Sequence, residues 1–168
     1  MTETFGEFET DPAEIAKVAK LLGRPPQGSF VIVVRDDDGS AVVIRNEPVL
    51  DDGTPMPTRY WLVGAELRRA VGTLESTGGV KRAEQDIDRD VLAQAHRCYA
   101  VLRDEAIPDD HRGPRPAGGV GGTRRGVKCL HAHYAWYLAG GSDPVGRWVD
   151  EQLGAFPDVD EVGGSAHA

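Results

Sequence analysis

Hydrophobic positions along the chain switch between two periods. Ile15, Val18, Ala19 and Leu22 recur at i, i+3, i+4 and i+7, which predicts a helix with one apolar face. Asp11-Pro12-Ala13-Glu14 supplies its start, with Asp11 as cap, Pro12 at the first helical position and Glu14 closing a capping box. Gly23 and Pro25 end it. Phe30 to Val34 and Ala41 to Ile44 are β-branched runs parted by Asp36-Asp37-Asp38-Gly39-Ser40, the pattern of a hairpin. Their near-continuous apolarity predicts strands covered on both faces, or one strand in mid-sheet. Thr58 to Val63 supplies a third strand.

From Leu67 onward the helical period returns. Leu67, Ala70, Val71 and Leu74 form one helix, stopped by Gly78-Gly79. A longer helix is predicted over Ala83 to Asp104, with Ile87, Val91, Ala95, Cys98 and Leu102 as its inner stripe. Val127 to Leu138 reads as another, and Asp143-Pro144 opens a last one bearing Val145, Trp148, Val149 and Leu153. Segregated strands and helices predict an α+β fold, a small antiparallel sheet (hairpin plus one strand) packed by about five helices. Residues 1–10 read as a flexible arm, 11–153 as a single globular domain and 154–168 as an acidic flexible tail.

With 168 residues the chain is long enough to bury a real core. No apolar stretch approaches a membrane span, no export signal is visible, and two cysteines make no disulfide framework. A cytoplasmic protein with no membrane partner is the expectation. A net charge of −8 argues against a nucleic-acid partner held by bulk charge.

That charge is unevenly spread. Between His111 and Trp148, six basic residues (Arg112, Arg115, Arg124, Arg125, Lys128, Arg147) face Asp143 alone, an excess of +5. The segment Gly118-Gly119-Val120-Gly121-Gly122-Thr123-Arg124-Arg125 leads into the helix predicted from Val127. Glycines let backbone N–H groups turn toward an anion, and a helix N-terminus adds roughly half a positive charge. Gly121, Gly122, Arg124, Arg125 and Lys128 are therefore candidate ligands for a small anion (phosphate, nucleotide or carboxylate), with Arg24 and Arg59 approaching from the sheet. The spacing matches neither a Walker loop nor a dinucleotide fingerprint. A solvated linker, or a dock for an acidic protein partner, accounts for the same residues.

Lys128-Cys129-Leu130-His131-Ala132-His133 holds the other chemistry. On a helix Cys129 and His133 share a face and His131 does not. Cys129, His131 and His133 are catalytic candidates, as a thiol near a helix start with an imidazole one turn on. Cys129 and His133, with His96, are weak metal ligands; no Cys-x-x-Cys or His-Glu-x-x-His supports a zinc site, and a packed cysteine with hydrogen-bonded histidines is the plainer reading. The residues leave the identity of any cofactor unknown.

Several segments together resemble one bacterial family. They are Leu22-Gly23-Arg24-Pro25, Pro57-Thr58-Arg59-Tyr60-Trp61-Leu62, Gly119-Val120-Gly121-Gly122, Val127 to Ala135 with its Lys-Cys-Leu-His-Ala-His run, and Asp143-Pro144-Val145-Gly146. The chain resembles the "domain of unknown function 501" family, common in actinobacteria, over about Ile15 to Leu153. The resemblance implies no established activity. Genes of the family often lie beside those of a septum-formation protein and an exopolyphosphatase-type phosphatase, which implies work on phosphorylated species or an interaction module linked to cell division or the envelope. Many members carry a cysteine after the Trp-Leu pair, where this chain has Val63-Gly64-Ala65. A zinc or disulfide role shared with that cysteine cannot operate here.

Overall fold

A computed structural model describes residues 7–154. Asp11 caps α1 (Pro12–Leu22) by accepting the Ala13 N–H at 2.9 Å, and Gly23 ends it at φ 74°. That left-handed turn favours glycine, which has no Cβ to clash there. The expected capping box does not close. Glu9 takes the Asp11 N–H at 2.9 Å, while Glu14 pairs with Lys17 and Arg35 across to the sheet. Of the predicted arm, residues 1–6 lie outside the described residues; Glu9 is tied to the sheet, its N–H donating to the Phe30 carbonyl at 2.8 Å. The tail after Gly154 also lies outside them.

Strands β1 (Phe30–Arg35), β2 (Ala41–Asn46) and β3 (Tyr60–Leu62) form an antiparallel sheet in the order β1-β2-β3. All six residues of the central β2 are buried. One face, with Phe30, Ile44 and Trp61, packs on Val18, Ile15 and Leu22 of α1. The other, with Val43, Tyr60 and Leu62, joins the larger core beneath the remaining helices. The chain is thus an α+β fold in which the sheet is covered on both sides, and β3 lies at a sheet edge.

Beyond the sheet come α2 (Ala65–Ser76), α3 (Gly79–Asp86), α4 (Arg89–Glu105), α5 (Leu130–Leu138) and α6 (Pro144–Gly154). Two expectations are corrected here. The single helix over Ala83 to Asp104 is two, because extended Ile87 stops α3 and Asp88 starts α4 by accepting the Asp90 and Val91 N–H groups. The inner stripe of α4 is also displaced by about one residue. Leu92, Ala95, His96, Tyr99 and Arg103 are buried, whereas Val91 is 50% exposed and Cys98 faces outward. A heptad counted on apolar residues alone misses this face because two of its members are polar.

Those two polar members hold the Gly-rich loop in place. Arg103, 2% exposed, donates to the Gly118 carbonyl at 2.7 Å. His96 Nδ1 accepts the Val120 N–H at 3.1 Å, and its Nε2 lies 2.9 Å from the Gly126 carbonyl. An N–H on one side and a carbonyl on the other fix the neutral ring with its proton on Nε2. Gly119 fits against this ring only because it lacks a Cβ, which would lie 2.5 Å from the ring. Burial holds the His96 pKa below the usual imidazole value.

Protonating Nδ1 sets two N–H groups against each other. The folded pKa is depressed, so the stability that His96 contributes is present above the unfolded value near 6.5 and is lost as pH falls below it. Hydrogen exchange checks this directly: protection of the Val120 N–H should weaken between pH 7 and 5 relative to core amides, whereas unchanged protection contradicts it.

Candidate functional site

The segment singled out in the sequence places its amides inward. The Gly119 N–H donates to the Thr123 carbonyl at 2.7 Å and the Gly122 N–H to the Gly119 carbonyl at 2.9 Å. Gly121 and Gly122 have φ 66° and 78°, which serve this tight turn over Val120–Gly122. The following helix begins at Leu130, three residues later than its pattern predicts, because Cys129 is extended at φ −153°. Carboxylates of the protein itself occupy the next amides. Glu84 accepts the Val127 N–H at 2.8 Å, and Glu75 of α2 accepts the Leu130 N–H at 2.6 Å. The helix N-terminus therefore already holds an anion.

The basic residues do not converge. Arg125 lines a cavity of about 440 Å³ with Glu84, Arg89 and His96, whereas Arg124 lines another with Arg97, Arg103 and Asp104. Lys128 is exposed. Arg59 is 2% exposed, with its Nε donating to the Asn46 carbonyl at 3.3 Å and its backbone N–H to the Tyr99 hydroxyl at 2.7 Å. It braces β2 against the chain entering β3.

The histidines are equally divided. His133 is 1% exposed, and its Nδ1 lies 2.7 Å from Asp143, which also caps α6 through the Val145 and Gly146 N–H groups. Its ring stands edge-on to His96 at 5.7 Å. His131 turns to the other side, with Nδ1 3.2 Å from Glu75 and Nε2 3.2 Å from the Arg68 carbonyl. Among the described residues no group of three or more His, Cys, Asp or Glu side chains is placed to hold a metal ion.

A different cavity gathers the remaining candidates. It holds about 390 Å³ at the edge of the sheet, between the end of α1, β3, α2 and the first turn of α5. Leu22 and Arg24, Thr58 with Tyr60 to Leu62, and Cys129, His131 and Ala132 supply walls from three of the segments that carry the family resemblance, and Arg68 closes it from α2. Arg24 lies with its guanidinium carbon 5.0 Å from the Trp61 ring centroid. Trp61 is itself fixed by its indole N–H, which donates to the Thr58 carbonyl at 2.8 Å. Arg68 donates to the Leu21 carbonyl at 2.5 Å, so both guanidinium groups stand at the same end of α1. Neither forms an ion pair with a carboxylate among the described residues, and no carboxylate lines the cavity.

Arg68 and Glu75 carry no sequence signal. They lie on an ordinary amphipathic helix, and only its packing against α5 brings them here. Cys129 is half-buried in this cavity, and burial pushes its thiol up despite the His131 and Ala132 amides nearby. A protonated thiol is a poor nucleophile. Aromatic disulfide reagents at pH 7 should therefore label exposed Cys98 in a fast phase and Cys129 in a slow one, with Cys98→Ser removing the fast phase. Faster labelling of Cys129 contradicts the assignment.

No curated protein and no solved structure matches the chain. No helix among the described residues is long and apolar enough to cross a membrane. One family model, protein of unknown function DUF501, matches residues 32–151, from within β1 into α6, a span that contains β3, α2 and α5. The chain belongs to that family.

Proposed function

We propose that this protein binds a small anionic molecule, bearing a phosphate or carboxylate, in the cavity between Arg24, Trp61, Arg68 and His131. The observation that carries this reading is electrostatic. In a chain of net charge −8, the described residues lining this cavity include two arginines and no carboxylate, with Glu75 lying behind His131. Arg24 is held over the Trp61 ring, which orders its donors before a ligand arrives. A cytoplasmic metabolite fits this description. The reading is one of binding: the Cys129 thiol is raised by burial, His133 faces Asp143, and His131, the imidazole at this cavity, is engaged by Glu75 and the Arg68 carbonyl.

Arg124, Arg125 and Lys128 support a second role, docking of an acidic protein partner. All three are exposed and form no ion pair among the described residues. Their candidacy as ligands of the same small anion is not favoured, since Arg124 and Arg125 line other cavities.

Thermal unfolding separates these roles. Inorganic phosphate, pyrophosphate and a nucleoside monophosphate are titrated against the wild type, Arg24→Ala, Arg68→Ala and the Arg124→Ala/Arg125→Ala pair. A ligand at a hundredfold its Kd stabilises by about 2.7 kcal/mol, a rise of roughly 5–10 °C for a chain of this size. Arg24→Ala and Arg68→Ala should each weaken binding by about tenfold or more, and the loop pair should leave it unchanged. Absence of any shift in the wild type, across carboxylates as well, overturns the proposal.

A further inference from the structure

The cavity is not charged throughout, and its asymmetry narrows the ligand class. This step rests on the anion reading above. Both cations are anchored at one end, Arg24 directly after the Gly23 cap and Arg68 on the Leu21 carbonyl. Apart from His131, held between Glu75 and the Arg68 carbonyl, the rest of the lining is uncharged, including Tyr60 and Leu62 of β3, Ala132 of α5 and the Cys129 thiol. Burial keeps that thiol protonated at neutral pH, so this part of the wall stays uncharged. The volume of about 390 Å³ lies in the range of pockets that hold organic ligands, and a bare oxyanion fills only a fraction of it.

We infer that the natural ligand is an organic anion, a phosphate or carboxylate carried on an apolar body, whose head meets Arg24 and Arg68 and whose body lies along Leu62, Ala132 and Cys129. Inorganic phosphate supplies the head alone. An apolar body that leaves water on binding adds affinity in proportion to the area it buries, at roughly 25 cal/mol per Å². Trp61 does not serve as an open stacking face, because Arg24 lies over its ring and the residue also packs against the α1 core. Its part is to position Arg24.

Calorimetric titration with inorganic phosphate and with phenyl phosphate tests the inference. Phenyl phosphate should bind at least tenfold more tightly. Ala132→Leu, which fills the uncharged part, should remove that advantage and leave phosphate affinity as it was. Should this variant not fold, chemical shifts of the wild-type Ala132 and Leu62 methyl groups serve instead: phenyl phosphate moves them and phosphate does not. Equal affinity for the two probes overturns the organic-anion inference while the anion reading stands. Failure of both probes, with organic carboxylates also silent, overturns both.

Discussion

A single carboxylate arranges much of this molecule. Glu75 reaches from α2 to the first amide of α5 at 2.6 Å and meets the His131 ring at 3.2 Å. It satisfies a helix terminus that otherwise seeks an anion from solution, joins two helices 55 residues apart, and sets the direction of the ring beside Arg68. Glu84 does the same for the Val127 amide. The protein fills these positions from within, and a cavity lined by positive charge without a carboxylate among the described residues lies elsewhere, at Arg24 and Arg68 by the end of α1.

Two polar cores then carry the parts that glycine leaves loose. On one side Arg103 and His96 hold the Gly118–Gly126 loop by its carbonyls and one amide, with His133 and Asp143 behind them. On the other, Arg59 and Tyr99 hold the strand-entry segment, where the Tyr99 hydroxyl both accepts the Arg59 N–H and donates to the Pro57 carbonyl. Burial pushes that hydroxyl up to about 12, so it remains a donor across the working pH range. These bonds make an ordered surface of a stretch whose composition reads as a linker.

The sheet, the first helix and the capped last helix are legible in the sequence because each is written in local terms: β-branched runs, an Asp-Pro start, a glycine stop. Failures occur where tertiary partners decide. The break at Ile87-Asp88 is invisible to a count of apolar residues, and the inner face of α4 is hidden because His96 and Arg103 are polar. Extended Cys129 delays α5, since a carboxylate from α2 waits at Leu130. For the candidate site, Arg24, Cys129 and His131 are recoverable from motifs; Arg68 and Glu75 are not. The predicted convergence of arginines on glycines rests on counting charges without knowing which amides the chain uses for itself.

Amide chemical shifts followed during a titration with phosphate or phenyl phosphate test the central claim most directly. If backbone carbonyls and His96 have saturated the Gly-rich loop, and Glu84 and Glu75 the amides leading into α5, perturbations concentrate at Leu22 to Arg24, Tyr60 to Leu62, Arg68 and Cys129 to Ala132. Perturbations centred on Gly118 to Val127, with that cavity silent, contradict it.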